Sequence, residues 1–353
     1  FLKGLSYFWN SWAVRQNIVL VLCGSAASWM IQKILRDKGG LHNRVTRRIR
    51  LRPFTLAETQ EYLESRSVYF DHYQLLQIYM VMGGIPHYLK ELKNGRSAVQ
   101  NINKICFSQD GLLRDEFLSL YPALFQRSEY HVAIIRALAT KQNGMNRSEI
   151  LTIAKLPEGG RLTKVLDELE QSGFIAQYPP FGKKKKGKVY RLVDEYSLFY
   201  LRFIEKNLQN PLTWDSLSQT QPYKIWCGYA YESICLKHIT AIKKALEIGG
   251  IYTTTSSFLK IGDAREEGTQ IDLVIDRNDH IINLCEIKFH NTEFTITKEY
   301  AEKLRNKIRI FQENNNSKKQ TQLVFISTFG LKHNKYSLGL VYADLDMNMF
   351  FNN

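Results

Sequence analysis

Asp272, Glu286 and Lys288 are the residues whose types and spacing could do chemistry. An acid is followed fourteen residues on by a second acid, and two further on by a lysine. All three lie in largely apolar sequence, GTQIDLVIDRNDHIINLCEIKF, from Gly268 to Phe289. Carboxylates and an ammonium are expensive to bury unpaired. A divalent cation would neutralise the acids, and a phosphodiester would give the lysine its partner. Two carboxylates offer hard oxygen ligands suited to Mg²⁺ or Mn²⁺. Such an ion polarises a phosphate and lowers the pKa of a bound water. Lys288 would orient that water or counter the developing negative charge.

Two strands must position these groups. Ile271, Leu273 and Ile275 alternate with Asp272, Val274 and Asp276, which predicts a strand. Arg277 to His280 is a polar break, and Ile281 to Phe289 reads as a second, largely buried strand. Glu286 and Lys288, two apart, project from the same face. Directly opposed residues of an antiparallel pair share a face, so register decides whether Asp272 joins them. An odd-length loop, most simply Asn278-Asp279-His280, gives partner numbers with an even sum and sets Asp272 roughly opposite Glu286. A one-residue slip would separate them. Upstream, the stretch from Gly228 to Ile239 predicts an amphipathic helix with Glu232 in its first turns.

An acid, a spacer and then Glu286-Ile287-Lys288 on an apolar hairpin resembles the PD-(D/E)XK nuclease superfamily. Ile271 stands where that family's motif has proline. Glu-x-Lys alone is frequent on solvated strand faces; the apolar hairpin and the helix bearing Glu232 give it weight. The resemblance implies an α/β core, Asp272 and Glu286 as metal ligands with Glu232 as an outer one, and Lys288 as a catalytic group. It implies a Mg²⁺-dependent (or Mn²⁺-dependent) endonuclease, a hydrolase of phosphodiesters.

Composition agrees with an anionic partner. The chain has 353 residues, enough for two or three domains, and a formal net charge of +14. Excess Lys and Arg on this scale favours nucleic acid, DNA in the first instance. No basic amphipathic anchor is evident, so no membrane partner is expected. The five cysteines, Cys23, Cys106, Cys227, Cys235 and Cys285, form no ligand-like cluster and sit in apolar sequence. That points to a reducing, cytoplasmic setting.

The first 125 residues read as helices around one apolar run. Residues 1–12 predict an amphipathic helix. Asn17 to Cys23, NIVLVLC, predicts a fully buried parallel strand, followed by a helix from about Ala27 to Arg36. Arginines crowd next, at Arg44, Arg47, Arg48, Arg50 and Arg52, with Ile49 and Leu51 alternating as a short strand. Thr55 to Glu58 is a capping box, Gly83-Gly84 breaks a helix, and Pro86 suits the first turn of the next. This half resembles the C-terminal part of an AAA+ module with its helical lid, of the archaeal-type ATPase family also found in bacteria. The resemblance places Ser25 at the sensor-one position and makes Arg44 an arginine-finger candidate, with oligomers formed through this remnant. The family's phosphate loop, G-x-x-x-x-G-K-[ST], occurs nowhere in the chain, and neither does an apolar strand ending in Asp-Glu. Both are expected upstream of Phe1, and ATP binding is not expected of this chain alone.

Residues 126–207 predict three helices and a wing: Tyr130 to Lys141, a second helix capped by Asn146, Arg161 to Ser172 stopped by Gly173, and two strands around a lysine-rich loop. This is the pattern of a winged helix-turn-helix. Its third helix would bring Arg161 and Lys164 to the major groove, while Lys183, Lys184, Lys185, Lys186 and Lys188 would touch phosphates. Leu208 to Tyr223 reads as a linker, and the nuclease-like α/β domain occupies 208–353. The fold class expected is thus α/β and α+β, multidomain. The second functional reading is a non-catalytic DNA-binding or regulatory module of an ATP-binding AAA+ protein whose nucleotide site lies upstream.

Overall fold

The computed structural model describes residues 1–24, 30, 44–182, 188–208, 212–262, 268–315 and 317–352. Ser25, Lys183 to Lys186 and all but Met30 of the helix expected from about Ala27 to Arg36 lie outside the described residues.

Helices α1 (Leu2–Ser11), α2 (Leu56–Ser65), α3 (His72–Met82), α4 (Pro86–Leu89), α5 (Ala98–Ile102), α6 (Glu116–Leu124), α7 (Glu129–Thr140), α8 (Arg147–Ala154) and α9 (Gly160–Gln171) come first. Local chemistry fixes several ends. Thr55 and Glu58 form a reciprocal capping box at α2, and Asn146 and Glu149 form another at α8. Both satisfy N–H donors that a helix start leaves bare. Gly83 ends α3 at φ +59°. At Gly84 a Cβ would lie 1.9 Å from the Phe54 carbonyl oxygen, so only glycine allows the Phe54 N–H to donate to the Gly84 carbonyl at 2.8 Å. Pro86 opens α4, as expected.

After α9, Gly173 at φ +83° turns the chain into β1 (Ile175–Tyr178), antiparallel to β2 (Val189–Leu192). Helix α10 (Glu195–Phe199) then continues through a wider turn to Asn207. The stretch expected as a linker holds α11 (Trp214–Leu217). Trp214 is 2% exposed, with the rings of Phe199 and Phe203 at 4.9 and 5.3 Å. A large aromatic gains more by burial than its polar neighbours lose by lying close to the core.

Helices α12 (Gln221–Lys237) and α13 (Ile239–Ala245) lead into a mixed sheet of β3 (Thr253–Lys260), β4 (Thr269–Arg277), β5 (Ile281–Lys288), β6 (Gln320–Ser327) and β7 (Val341–Leu345), in that spatial order. β3, β4 and β5 run antiparallel, and β5, β6 and β7 run parallel. Helix α14 (Lys298–Glu313) makes the crossover from β5 to β6, the connection a parallel pair needs. The strands alternate between two apolar clusters. Leu273, Cys285, Ile287 and Val324 join one that runs through Tyr231 and Trp226 of α12 to Leu76 of α3 and Leu166 of α9. Val274, Leu284 and Phe325 face Leu304 and Phe311 of α14. The chain is therefore mixed α/β, with one five-stranded sheet and one small antiparallel sheet.

Two expected strands are absent. Asn17 to Cys23 carries no strand, and Val19 is 90% exposed. Ile49 and Leu51 are likewise exposed and outside any strand. An apolar run becomes a strand only where a neighbour completes its ladder, and no strand of the two sheets pairs with either segment among the described residues. Among those residues, too, no helix is long and apolar enough to cross a membrane.

Candidate active site

The β4–β5 connection is Asn278, Asp279 and His280, with His280 at φ +65°, the left-handed closing residue of a three-residue hairpin. This odd loop gives pairs from Asp276↔Ile282 to Leu273↔Cys285, whose numbers sum to an even value. Even-numbered residues of β5 thus share the face of Val274 and Asp276. At Leu273 the ladder to β5 stops. Against β3, Ser256 pairs with Val274 but Phe258 pairs with Ile271, so Asp272 and Leu273 together oppose Ser257. That is a β-bulge, and bulges re-aim side chains. The register is the even-sum one that sets Asp272 roughly opposite Glu286, but the paired ladder ends at Leu273 and Cys285, one residue before them.

Glu286 lies on the α14 face, across from Phe325 on β6, and its side chain is only 3% exposed. Three donors surround its carboxylate. The Tyr300 hydroxyl donates to Oε1 at 2.7 Å, Lys307 Nζ donates to Oε2 at 2.7 Å, and Lys288 Nζ stands 2.8 Å from Oε1. Burial pushes the Glu286 carboxyl up, but Lys288 and Lys307 outweigh it and hold the group below its ordinary value. Burial pulls the Lys288 ammonium down; Glu286, Asp272 and Glu232 outweigh that and hold it above its ordinary value.

Asp272 feels both sides of the sheet. Burial, then the charge of Glu232 from α12, then that of Glu286 from β5 push its carboxyl up to about 7. Its Oδ1 accepts from Gln270 Nε2 at 3.2 Å, and Asn143, after α7, donates to Gln270 Oε1 at 2.7 Å. Glu232 is buried and paired with Arg191 of β2 at 2.6 Å. The Arg191 guanidinium also lies 5.3 Å from the Tyr178 ring centroid. The small hairpin thus delivers a cation to the carboxylate expected as an outer metal ligand.

The fold brings Asp272, Glu286, Lys288 and Glu232 into one electrostatic neighbourhood. The sequence does not single out Arg191, Asn143, Gln270, Tyr300 or Lys307. For the last two a signal exists: they stand seven residues apart, two turns along one helix face, beside the buried stripe of Ala301 and Leu304.

The donor chemistry fits a hard divalent cation. Asp272 feels the charges of Glu232 and Glu286, and the like charge that, after burial, raises its carboxyl is what such an ion relieves. The arrangement as it stands is occupied by protein cations: Glu286 by two lysines, Glu232 by Arg191. Among the described residues no three His, Cys, Asp or Glu side chains are close enough to share one ion. Accepting one requires Glu286 to give up a lysine.

The residues expected to touch nucleic acid are placed less simply. Arg161 Nη1 donates to the Tyr130 hydroxyl at 2.7 Å, and its guanidinium lies 4.5 Å from that ring's centroid. Lys164 Nζ stands 3.8 Å from Glu168, and Lys188 Nζ donates to Gln177 at 2.8 Å. All three are exposed, each with a partner inside the protein. Lys183, Lys184, Lys185 and Lys186 lie outside the described residues, as does Ser25; Arg44 is exposed.

No family model matches the chain. Over 276 residues it is 25% identical to the uncharacterized protein MJECL04 of the archaeon Methanocaldococcus jannaschii, a stretch covering 76% of this chain and 59% of that protein.

Proposed function

We propose that this chain is a Mg²⁺- or Mn²⁺-dependent nuclease. On this reading residues 208–353 are a PD-(D/E)XK-like domain, 126–207 a winged helix-turn-helix, and 1–125 a part of an AAA+-like module with its lid. The observation that supports it most is the raised carboxyl of Asp272, pushed up to about 7 by burial with Glu232 and Glu286 close by, and with Lys288 on the same cluster. Asp272, Glu286 and Glu232 would hold the ion. When bound, it supplies a polarised phosphoryl oxygen and a water of lowered pKa. Lys288 keeps its proton, because three carboxylates favour the charged form, and so offers a fixed positive charge to a phosphate. Tyr300 and Lys307 aim the Glu286 carboxylate from α14, as second-layer donors orient metal-ligating carboxylates.

A ligand that binds only the folded chain raises its melting temperature by mass action. Mn²⁺ at millimolar concentration is expected to raise the melting temperature of the wild type by a few degrees. The shift should vanish in Glu286→Gln and in Asp272→Asn. Equal shifts in all three proteins would remove the metal site from these residues.

One observation favours a second reading. Glu286 and Glu232 already have protein cations as partners, which suits a non-catalytic DNA-binding or regulatory module of an AAA+-like protein. That reading expects no Mn²⁺-linked shift and unaltered nucleic-acid binding.

A further inference from the structure

The described basic residues at the two candidate sites are held by partners within the protein. Arg161, Lys164, Lys188, Arg191, Lys288 and Lys307 each have a protein partner. The run from Arg44 to Arg52, reading RVTRRIRLR, is different. It holds five arginines in nine residues and no acid. Every residue in it is exposed, and none lies in a helix or strand. Arg50 is tied down, its Nη2 donating to the Gln171 carbonyl at the end of α9. Just past the run, Phe54 is held by Gly84 at 2.8 Å, and its carbonyl accepts from the Tyr79 hydroxyl at 2.8 Å. Arg44, Arg47, Arg48 and Arg52 have no ion-pair or hydrogen-bond partner among the described residues. The protein therefore fastens this arm in two places while leaving four guanidinium groups without an internal acceptor.

A guanidinium presents a planar fork of donors that matches phosphate oxygens in pairs, and it is weakly hydrated, so it gives up water for phosphate readily. Four such groups on one short segment, closely spaced and without neighbouring acids, suit a chain of phosphates. We infer that residues 44–52 are a phosphodiester-backbone clamp, and that this arm, more than the third helix of the winged unit, carries the chain's affinity for nucleic acid. The inference rests on the nucleic-acid part of the function proposed above and is independent of whether the chain cleaves. An anionic membrane surface is the less suitable occupant: only Val45, Ile49 and Leu51 are apolar here, and the run forms no amphipathic helix.

The test uses the full chain in EDTA, where cleavage plays no part. Binding of fluorescein-labelled duplex and single-stranded DNA is measured by anisotropy over a series of salt concentrations. The variant is Arg47→Gln/Arg48→Gln/Arg52→Gln, which spares the Arg50 contact; its fold is checked by circular dichroism. Each duplex phosphate contact contributes about 0.9 to the slope of log K against log salt. The triple variant is expected to be shallower by about 2 to 3, with affinity at low salt reduced at least tenfold (about 1.4 kcal/mol). Arg161→Gln, with its partner in the protein, should change the slope by less than one. Unchanged slope and affinity in the triple variant, with the wild type binding, would overturn the clamp and leave nuclease chemistry untouched. Wild type that binds vesicles of anionic phospholipid but no DNA would overturn both the clamp and the nucleic-acid reading.

Discussion

Two apolar runs in this chain look alike in sequence and differ in structure. Of Ile281 to Phe289, all but Phe289 become strand β5, with Cys285 and Leu284 buried. Asn17 to Cys23, if anything the more apolar, forms no strand and leaves Val19 and Val21 exposed. The difference is in the neighbours. Leu284 pairs with Val274 on one side and Leu323 on the other, and α14 covers one face while α12 covers the other. Asn17 to Cys23 has no ladder on either side among the described residues. Hydrophobic patterning reports a capacity for burial; pairing and cover realise it. The same contrast holds for charge. Glu286 is tolerable inside β5 because α14 carries Tyr300 and Lys307 to it, while four of the five arginines of residues 44–52 have no partner among the described residues.

The largest effect that would sharpen this contrast is expected at Phe325, which is buried with no exposed surface. Phe325→Ala should destabilise by about 3–5 kcal/mol, read as a lowered denaturation midpoint; a loss below about 1 would show that the α14 face is not close-packed. Next is Glu286→Ala. Removing one partner of a buried ion pair costs about 3–5 kcal/mol, and with Lys288 and Lys307 partly exposed about 2 is expected here. An unchanged midpoint would mean that the lysines do not stabilise the strand.

A smaller effect tests the join between helical half and sheet. His238 Nε2 accepts from the Leu56 N–H at 3.2 Å, and its Nδ1 donates to the Ile234 carbonyl at 2.8 Å. Burial holds the ring neutral and pulls its pKa down to about 4 from 6.5. A depressed histidine contributes stability that is present above the unfolded value of about 6.5 and lost as the pH falls toward 4. His238→Phe should cost about 1–3 kcal/mol at pH 7 and flatten the fall of stability between pH 6.5 and 4. An equally steep fall in the variant would assign the acid sensitivity elsewhere. The smallest effect is expected at Val19→Ser, within about 0.5 kcal/mol. A loss of 2 or more would break the contrast, since it would mean that the first run is buried after all.

What could be read from sequence follows from range. Thr55 and Asn146 cap their helices through groups three residues away, and the three-residue loop fixes the parity of β4 against β5. Both are local, and both are as the residues imply. The bulge at Asp272 depends on β3, which pairs from the far side, and no pattern within β4 announces it. The partnership of Arg191 with Glu232 joins residues 41 apart through two separately formed units, and Trp214 is buried by rings from three other segments. Tyr300 and Lys307 were within reach of helical periodicity; the identity of their acceptor was not.

The proposed hydrolysis of phosphodiesters by Asp272, Glu286 and Lys288 is read out by cleavage itself. Labelled single- and double-stranded DNA should be cut by the wild type in Mn²⁺ or Mg²⁺ and spared in EDTA. Lys288→Ala, which removes a charge but no metal ligand, should cut at least about a hundredfold more slowly, the loss typical when one preorganised charge is removed from an active site. Equal cleavage by wild type and Lys288→Ala, or none by either, would rule out hydrolysis at this site and favour the reading as a regulatory module.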